Sequence, residues 1–409
     1  MRHTRTRERR REWCAREVVT RVVAVDFASM ARRRRARDDD ATGAEDDDDD
    51  DDDDVRSRWL TTLRRLILRA LRLGPTPRHV AGIMDGNRRY ARARAVRASR
   101  GHEVGAETLN ALASWSFELG ADVLSVYALS TENFKRTRDE LEDLFDLVCD
   151  RLEAIGASAV VREYEARIHV SGDVEALPRR VRDAARAVMR ATWTHRGPML
   201  NVCLGYTGRE DIARAIVDVR EGVRKGELKA SDADERVVEA CLHGCERFAN
   251  IARERDGGAR ASCSAASAES EYDDVVMPEV DLLVRTSGET RLSDYMLYNA
   301  RFAALVFVDA LWPEFTFMHM VYCVCKYQCA ARALGQARDA YARARANGVD
   351  EEHVLSNAVA EVNIRDDEDK TGEAHARASA SSSMATARAK TFIAMRLERI
   401  RRHIFQVQD

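Results

Sequence analysis

From residue 79 onward the chain alternates two kinds of hydrophobic pattern. Short apolar runs rich in β-branched residues, at 80–84, 123–129, 167–170, 199–204, 280–284 and 305–308, read as buried strands. Between them lie longer stretches whose apolar positions recur at helical spacing, such as 105–119, 138–154 and 178–193. This alternation predicts an α/β fold, a single domain with a mainly parallel, about six-stranded sheet flanked by helices. In such sheets ligands collect at the carboxyl ends of the strands. Upstream, Trp59, Leu60, Leu63, Leu66, Ile67, Ala70 and Leu71 mark one face of a helix over 58–73, with Arg64, Arg65, Arg69 and Arg72 mostly elsewhere. Such a basic amphipathic helix suits an anionic membrane surface, or simply packs its apolar face on the following domain. The pattern alone permits both.

The 409 residues suffice for one large domain, and 45% are hydrophobic. The formal net charge of −3 conceals a segregation: Arg5, Arg7, Arg9 to Arg11 and Arg32 to Arg35 crowd the first 37 residues, and Asp46 to Asp54 form an acidic block. Blocks of like charge bury nothing, so 1–55 is expected to be a disordered extension preceding a domain over 56–345. Residues 253–274, with Gly257-Gly258 and Ser262 to Ser270, read as a flexible insertion, 346–390 as a linker, and 391–409 as a tail with a short basic helix over 391–405. Nine cysteines include no Cys-x-x-Cys pair. The groups Cys241, His243, Cys245 and His319, Cys323, Cys325 lack zinc-site spacing, so reduced thiols in a cytosol-facing protein are expected. No apolar run approaches 18 residues, so no membrane-spanning helix is predicted.

The candidate chemistry falls at predicted strand ends. After the first strand, Asp85-Gly86-Asn87-Arg88-Arg89 opens a basic helix, and Gly101-His102 follows on the next one. A tight turn before a helix leaves backbone N–H groups free to meet an anion. Asp85 can hold a metal ion against a phosphate. Ser130, Asn133, Phe134 and Arg136 follow the second strand, Gly205, Tyr206 and Arg209 the fourth, and Arg285, Glu289, Arg291, Ser293 and Asp294 the fifth. Two Arg clusters at converging strand ends predict two anionic groups bound side by side, and the apolar interior predicts greasy tails on diphosphate heads. No Ser or Cys stands with a His and a carboxylate in a recognisable order, and neither a Walker A loop nor a GxGxxG follows a strand. The Asp-Asp-x-x-Asp pattern of metal-cluster prenyl enzymes occurs only within the acidic block, as a coincidence of composition.

Several segments together resemble the cis-prenyltransferase family, which includes undecaprenyl and dehydrodolichyl diphosphate synthases. They are IMDGNRRYA (83–91), GHEVG (101–105), YALSTENFKR (127–136), NVCLGYTGREDI (201–212), LLVRTSGETRLSDYML (282–297) and LVFVDALWPEF (305–315). The eukaryotic dehydrodolichyl catalytic subunit is the nearest flavour. The resemblance implies a sheet enclosing an apolar tunnel, and an enzyme that extends a farnesyl-type allylic diphosphate with isopentenyl diphosphate units, each new double bond cis, for dolichol-type carrier lipids. It further implies that Asp85 binds Mg²⁺ and, with Gly86, Asn87, Arg88 and Arg89, holds the allylic diphosphate. His102 and Asn133 would stand at the reaction centre, with Asn133 orienting groups during proton loss, and Ser130 would bind substrate. Arg136, Arg285, Arg291 and Ser293 would hold isopentenyl diphosphate, Glu289 would bind substrate with them or only orient Arg285 or Arg291, and Tyr90 and Phe134 would flank the prenyl groups.

Three positions depart from the bacterial homodimeric pattern. Ala304 replaces a second metal-binding Glu, Ala98 replaces an Arg near the Gly-His pair, and the C-terminal region lacks an Arg-x-Gly element. The resemblance thus implies a hetero-oligomer with a Nogo-B-receptor-type subunit, peripheral on the cytosolic face of the endoplasmic reticulum. A non-catalytic scaffold of the same fold is the alternative, but scaffolds usually lose the Asp and Arg of the first turn, and this chain keeps both. Nucleic-acid binding through 1–37 would leave the paired Arg clusters without purpose, so no nucleic acid is expected.

Overall fold

The computed structural model describes residues 50–135, 137–242, 277–346, 391–392 and 395–396. The 253–274 insertion, the linker after 346, Arg136, and nearly all of the N-terminal extension and C-terminal tail lie outside the described residues. Six parallel strands form one sheet in the order β3-β4-β2-β1-β5-β6. They are β1 (His79–Ile83), β2 (Val123–Ser130), β3 (Arg167–Ser171), β4 (Met199–Tyr206), β5 (Leu282–Arg285) and β6 (Ala304–Phe307). Each lies within two residues of its predicted position. The central strands are buried on both faces, as a parallel sheet covered by helices requires.

Successive side chains alternate between two cores. On one face Val80, Leu124, Val126, Leu200 and Val202 meet α1 (Asp50–Leu71), α3 (Ala98–Leu119), α4 (Arg138–Gly156), α6 (Arg179–Ala191) and α9 (Phe317–Ala346). The short helices α2 (Asn87–Ala93) and α5 (Ala159–Glu163) sit at turns between elements. On the other face Ala81, Ile83, Met199 and Cys203 meet α7 (Gly208–Arg224) and α8 (Glu235–Ala240). Phe392 from the C-terminal segment is buried there against Gly222, and Arg396 pairs with Asp218 at 2.9 Å.

Two features differ from the sequence expectation. The first helix begins at Asp50, inside the acidic run assigned to the disordered extension. It runs on from there into the stretch whose Leu68 and Leu71 pack on the core. The 30-residue α9 shows no clear amphipathic period because its apolar residues are spread around the helix where it is covered by the domain.

A polar chain crosses the buried sheet. The His79 Nδ1–H donates to the Pro278 carbonyl, and Ser125 donates to His79 Nε2 at 2.8 Å. Asn201 donates to Ser125 at 3.0 Å, and Ser171 donates to Asn201 at 2.7 Å. Burial drives the His79 pKa down to about 4, so the imidazole is neutral. These bonds fix strand register, because a one-residue slip would leave every member unpaired.

Candidate active site

The first turn is built as its residues require. Gly86 caps α2 with φ 117°, in the left-handed region, and a Cβ there would press against Leu311 at 3.0 Å. No side chain caps the helix, and Tyr90 N is bonded back to Gly86 O at 2.9 Å. The amides of the first turn therefore face the strand ends. The turn is pinned from behind: Thr286 donates to Asp85 O at 2.7 Å and Trp312 N to the same carbonyl at 3.0 Å. The Trp312 indole also donates to Gly105 O at 2.8 Å. Both glycines of the 101–105 motif serve close packing, since a Cβ at Gly101 would meet Asn87 O at 2.6 Å and one at Gly105 would meet Asn87 Oδ1 at 2.5 Å.

Arg285, at the end of β5, joins the two predicted clusters. Its guanidinium is 4% exposed and contacts Asp85 at 3.0 Å, Ser293 Oγ at 2.7 Å and the Arg291 carbonyl. Arg89 reaches Asp85 at 3.4 Å and donates to the Ser287 carbonyl at 3.2 Å and its hydroxyl. Burial by itself would raise the Asp85 pKa. The hydrogen bond from Arg285, the charges of Arg285 and Arg89, and Ser287 together hold it below the usual carboxylate range. Asp85 is therefore ionised at neutral pH.

Arg291 pairs with Glu289, which stands 3.7 Å from Arg89. The loop that carries these groups bends through left-handed backbone at Ser287, Gly288, Ser293, Asp294 and Met296. Non-glycine residues in that region cost on the order of 1 kcal/mol each. Groups from outside clamp the loop, among them Arg285, the Tyr127 hydroxyl donating to Ser293 O at 3.3 Å, and Arg209, whose N and Nε donate to Asp294 at 3.0 and 2.8 Å.

Below the turn, a cavity of about 190 Å³ lies between α3, α4 and the sheet. Asn87, His102, Leu109, Leu147, Val148, Leu152 and Ile155 are among the residues that line it. Most of the side chains that line it are apolar. Tyr90 turns toward Arg94, 4.7 Å from its ring centroid, and Phe134 packs near Gly205 and Phe145, so neither lines the cavity. At the end of β2, Asn133 Oδ1 accepts from Ser130 N at 2.9 Å, closing a local turn.

Arg88 is exposed. Ala304 opens β6 opposite Leu282, three register positions before Arg285, and supplies no carboxylate. Among the described residues, no group of three or more His, Cys, Asp or Glu side chains could hold a metal. Mg²⁺ characteristically uses one or two carboxylates with substrate phosphates and water. Asp85, ionised and beside free amides, fits that donor set. Sequence reasoning passed over Thr286, Ser287, Tyr127 and Trp312 as site residues. Thr286 and Ser287 stand directly after Arg285 in the motif, a signal that was available; nothing in the sequence places Tyr127 or Trp312 beside distant strand ends.

A parallel sheet with paired cationic and anionic groups at its carboxyl ends, above an apolar cavity, defines an enzyme class that handles diphosphates bearing hydrocarbon tails. The family model described as "Putative undecaprenyl diphosphate synthase" matches residues 83–335. The mouse dehydrodolichyl diphosphate synthase complex subunit is 32% identical over 80% of this chain and 90% of that protein. The tritrans,polycis-undecaprenyl-diphosphate synthase (geranylgeranyl-diphosphate specific) of Pyrococcus abyssi is 34% identical over 66% of this chain and 92% of its own length. The crystal structure of lavandulyl diphosphate synthase from Lavandula x intermedia, in complex with dimethylallyl diphosphate, superposes with TM-score 0.52 at 28% identity, covering 62% of this chain and 96% of that one. The chain belongs to the cis-prenyltransferase family of undecaprenyl and dehydrodolichyl diphosphate synthases, a family that typically uses Mg²⁺.

Proposed function

We propose that this chain is a dehydrodolichyl-type synthase that condenses a farnesyl-type allylic diphosphate with successive isopentenyl diphosphate units, making a long-chain polyprenyl diphosphate for glycosyl-carrier lipids. The observation that carries the proposal is Arg285, buried between Asp85 of the first turn and Ser293 of the β5 loop. In each round the allylic C–O bond breaks, a C–C bond forms to isopentenyl diphosphate, and a proton leaves the new unit with a cis double bond. The amides of α2 and Arg89 hold the departing diphosphate, and Arg291 with Ser293 holds the incoming one. His102 lines the cavity and would stand where the bond forms, and Asn133 would orient groups during proton loss. A Mg²⁺ on Asp85 would neutralise charge developing on the leaving diphosphate. The growing tail enters the apolar cavity, which excludes water.

A hetero-oligomer is supported by the mouse relative being named as a complex subunit, and by Ala304 standing where a second metal carboxylate is expected. The purified chain should therefore incorporate labelled isopentenyl diphosphate weakly alone and gain activity with a partner ending in Arg-x-Gly. Absence of incorporation in both arms would sink the synthase assignment, whereas full activity of a homodimer would remove the partner.

The exposed side of α1 supports peripheral attachment to the cytosolic face of the endoplasmic reticulum. Trp59 is 70% exposed and Leu66 55%, with Leu63 and Leu73 continuing an apolar stripe beside Arg65, Arg69 and Arg72. Leu68 and Leu71 face the core instead, so the helix has separate apolar surfaces for the domain and for lipid. Trp59→Glu with Leu66→Glu should abolish co-sedimentation with phosphatidylserine vesicles; unchanged binding would refute the attachment. Among the described residues no helix is long and apolar enough to cross a membrane.

A further inference from the structure

We propose that Glu289 is a placeholder anion: in the substrate-free chain its carboxylate occupies the position of diphosphate oxygens between Arg89 and Arg291, and its return there speeds release of inorganic diphosphate. The inference rests on the synthase reading above and names how that same site is regulated.

The geometry singles out Glu289. Arg89 belongs to the first turn and Arg291 to the β5 loop, so they serve the two different diphosphates. Glu289 is ion-paired with Arg291 and lies 3.7 Å from Arg89, reaching toward both. Arg285 is committed elsewhere, to Asp85, the Arg291 carbonyl and Ser293. The Glu289–Arg291 pair is poorly placed to stabilise the fold, because the Arg291 side chain is 65% exposed and such pairs are screened by water.

What makes the pair weak as a stabiliser makes it displaceable. A diphosphate carries more negative charge than one carboxylate, so each diphosphate wins the competition for its own guanidinium group while bound. Once the condensation has detached inorganic diphosphate from the hydrocarbon, Glu289 competes for the same cations and shortens its stay. Glu289 acts through the arginines and is a positioning residue. The competition is a charge effect, so a neutral side chain of the same shape should remove it.

The test is Glu289→Gln in the full chain, with inorganic diphosphate titrated by calorimetry in Mg²⁺ buffer alongside steady-state turnover. The variant should bind inorganic diphosphate about fivefold tighter, the effect of losing one exposed ionic competitor. Turnover should slow while KM for isopentenyl diphosphate falls, and both differences should shrink at high salt. Unchanged or weaker diphosphate binding, with KM rising at constant kcat, would overturn the placeholder role and leave Glu289 as an orienter of Arg291. A wild-type chain that neither binds inorganic diphosphate nor incorporates isopentenyl diphosphate would overturn the synthase reading, and this inference with it.

Discussion

Replacing Asp85 with alanine is expected to lower isopentenyl diphosphate incorporation on the order of a thousandfold, effectively abolishing it. The reasoning starts from charge. Asp85 is the acid at the turn whose amides face the strand ends, and it is kept ionised by Arg285 and Arg89. Removing it takes away the carboxylate that fits Mg²⁺ and leaves Arg285, 4% exposed, without its counter-charge. Two consequences should therefore appear together: loss of turnover and a lower unfolding midpoint. Asp85→Asn separates them, because the amide keeps the shape and a hydrogen-bond acceptor for Arg285 while losing the charge. It should recover much of the stability and little of the activity. Labelled incorporation combined with thermal unfolding of both variants checks this, and near-wild-type turnover of either variant would rule out the assigned role.

Arg285→Met should have the second-largest effect, a loss of about a hundredfold to a thousandfold in kcat/KM for isopentenyl diphosphate. The methionine fills the buried volume, but Asp85, Ser293 and the Arg291 carbonyl all lose a donor at once. The loop that holds Ser293 and Asp294 in left-handed backbone then loses one of its clamps and can relax out of position. Arg285→Lys restores the charge without the forked geometry and should rescue little. The Asp85/Arg285 double variant should be far less impaired than the product of the single losses, because the two side chains act as one unit. Multiplicative losses in that cycle would show that the two clusters work independently, against the geometry described above.

Much of the fold was legible in sequence because its strands are buried on both faces. Each reads as a short β-branched run with helical stretches between, and all six appear where expected. The start of α1 was not legible: nine consecutive Asp residues carry no apolar period, and the helix enters them from a segment held by Leu68 and Leu71. The spread of apolar residues around α9 erased its period in the same way. Within the site, residue types that bind diphosphate or its metal stood out at Asp85, Arg89, Arg285 and Arg291. The residues that fix those groups did not, because Trp312 and Tyr127 look like ordinary core aromatics until the chain brings Gly105 and Ser293 to them.

The sequence by itself therefore determined the class of fold, the strand ends that carry charge, and the pairing of two cationic segments with an apolar interior. Those properties are local, set by the period and type of neighbouring residues. Only the tertiary structure decided that Arg285 is the buried link between the two segments, and that Glu289 lies between Arg89 and Arg291. It also decided that neither Tyr90 nor Phe134 lines the cavity between α3, α4 and the sheet. Residues 85 and 285 become neighbours because β1 and β5 pair in register, and such long-range pairing leaves no mark on the spacing of either segment.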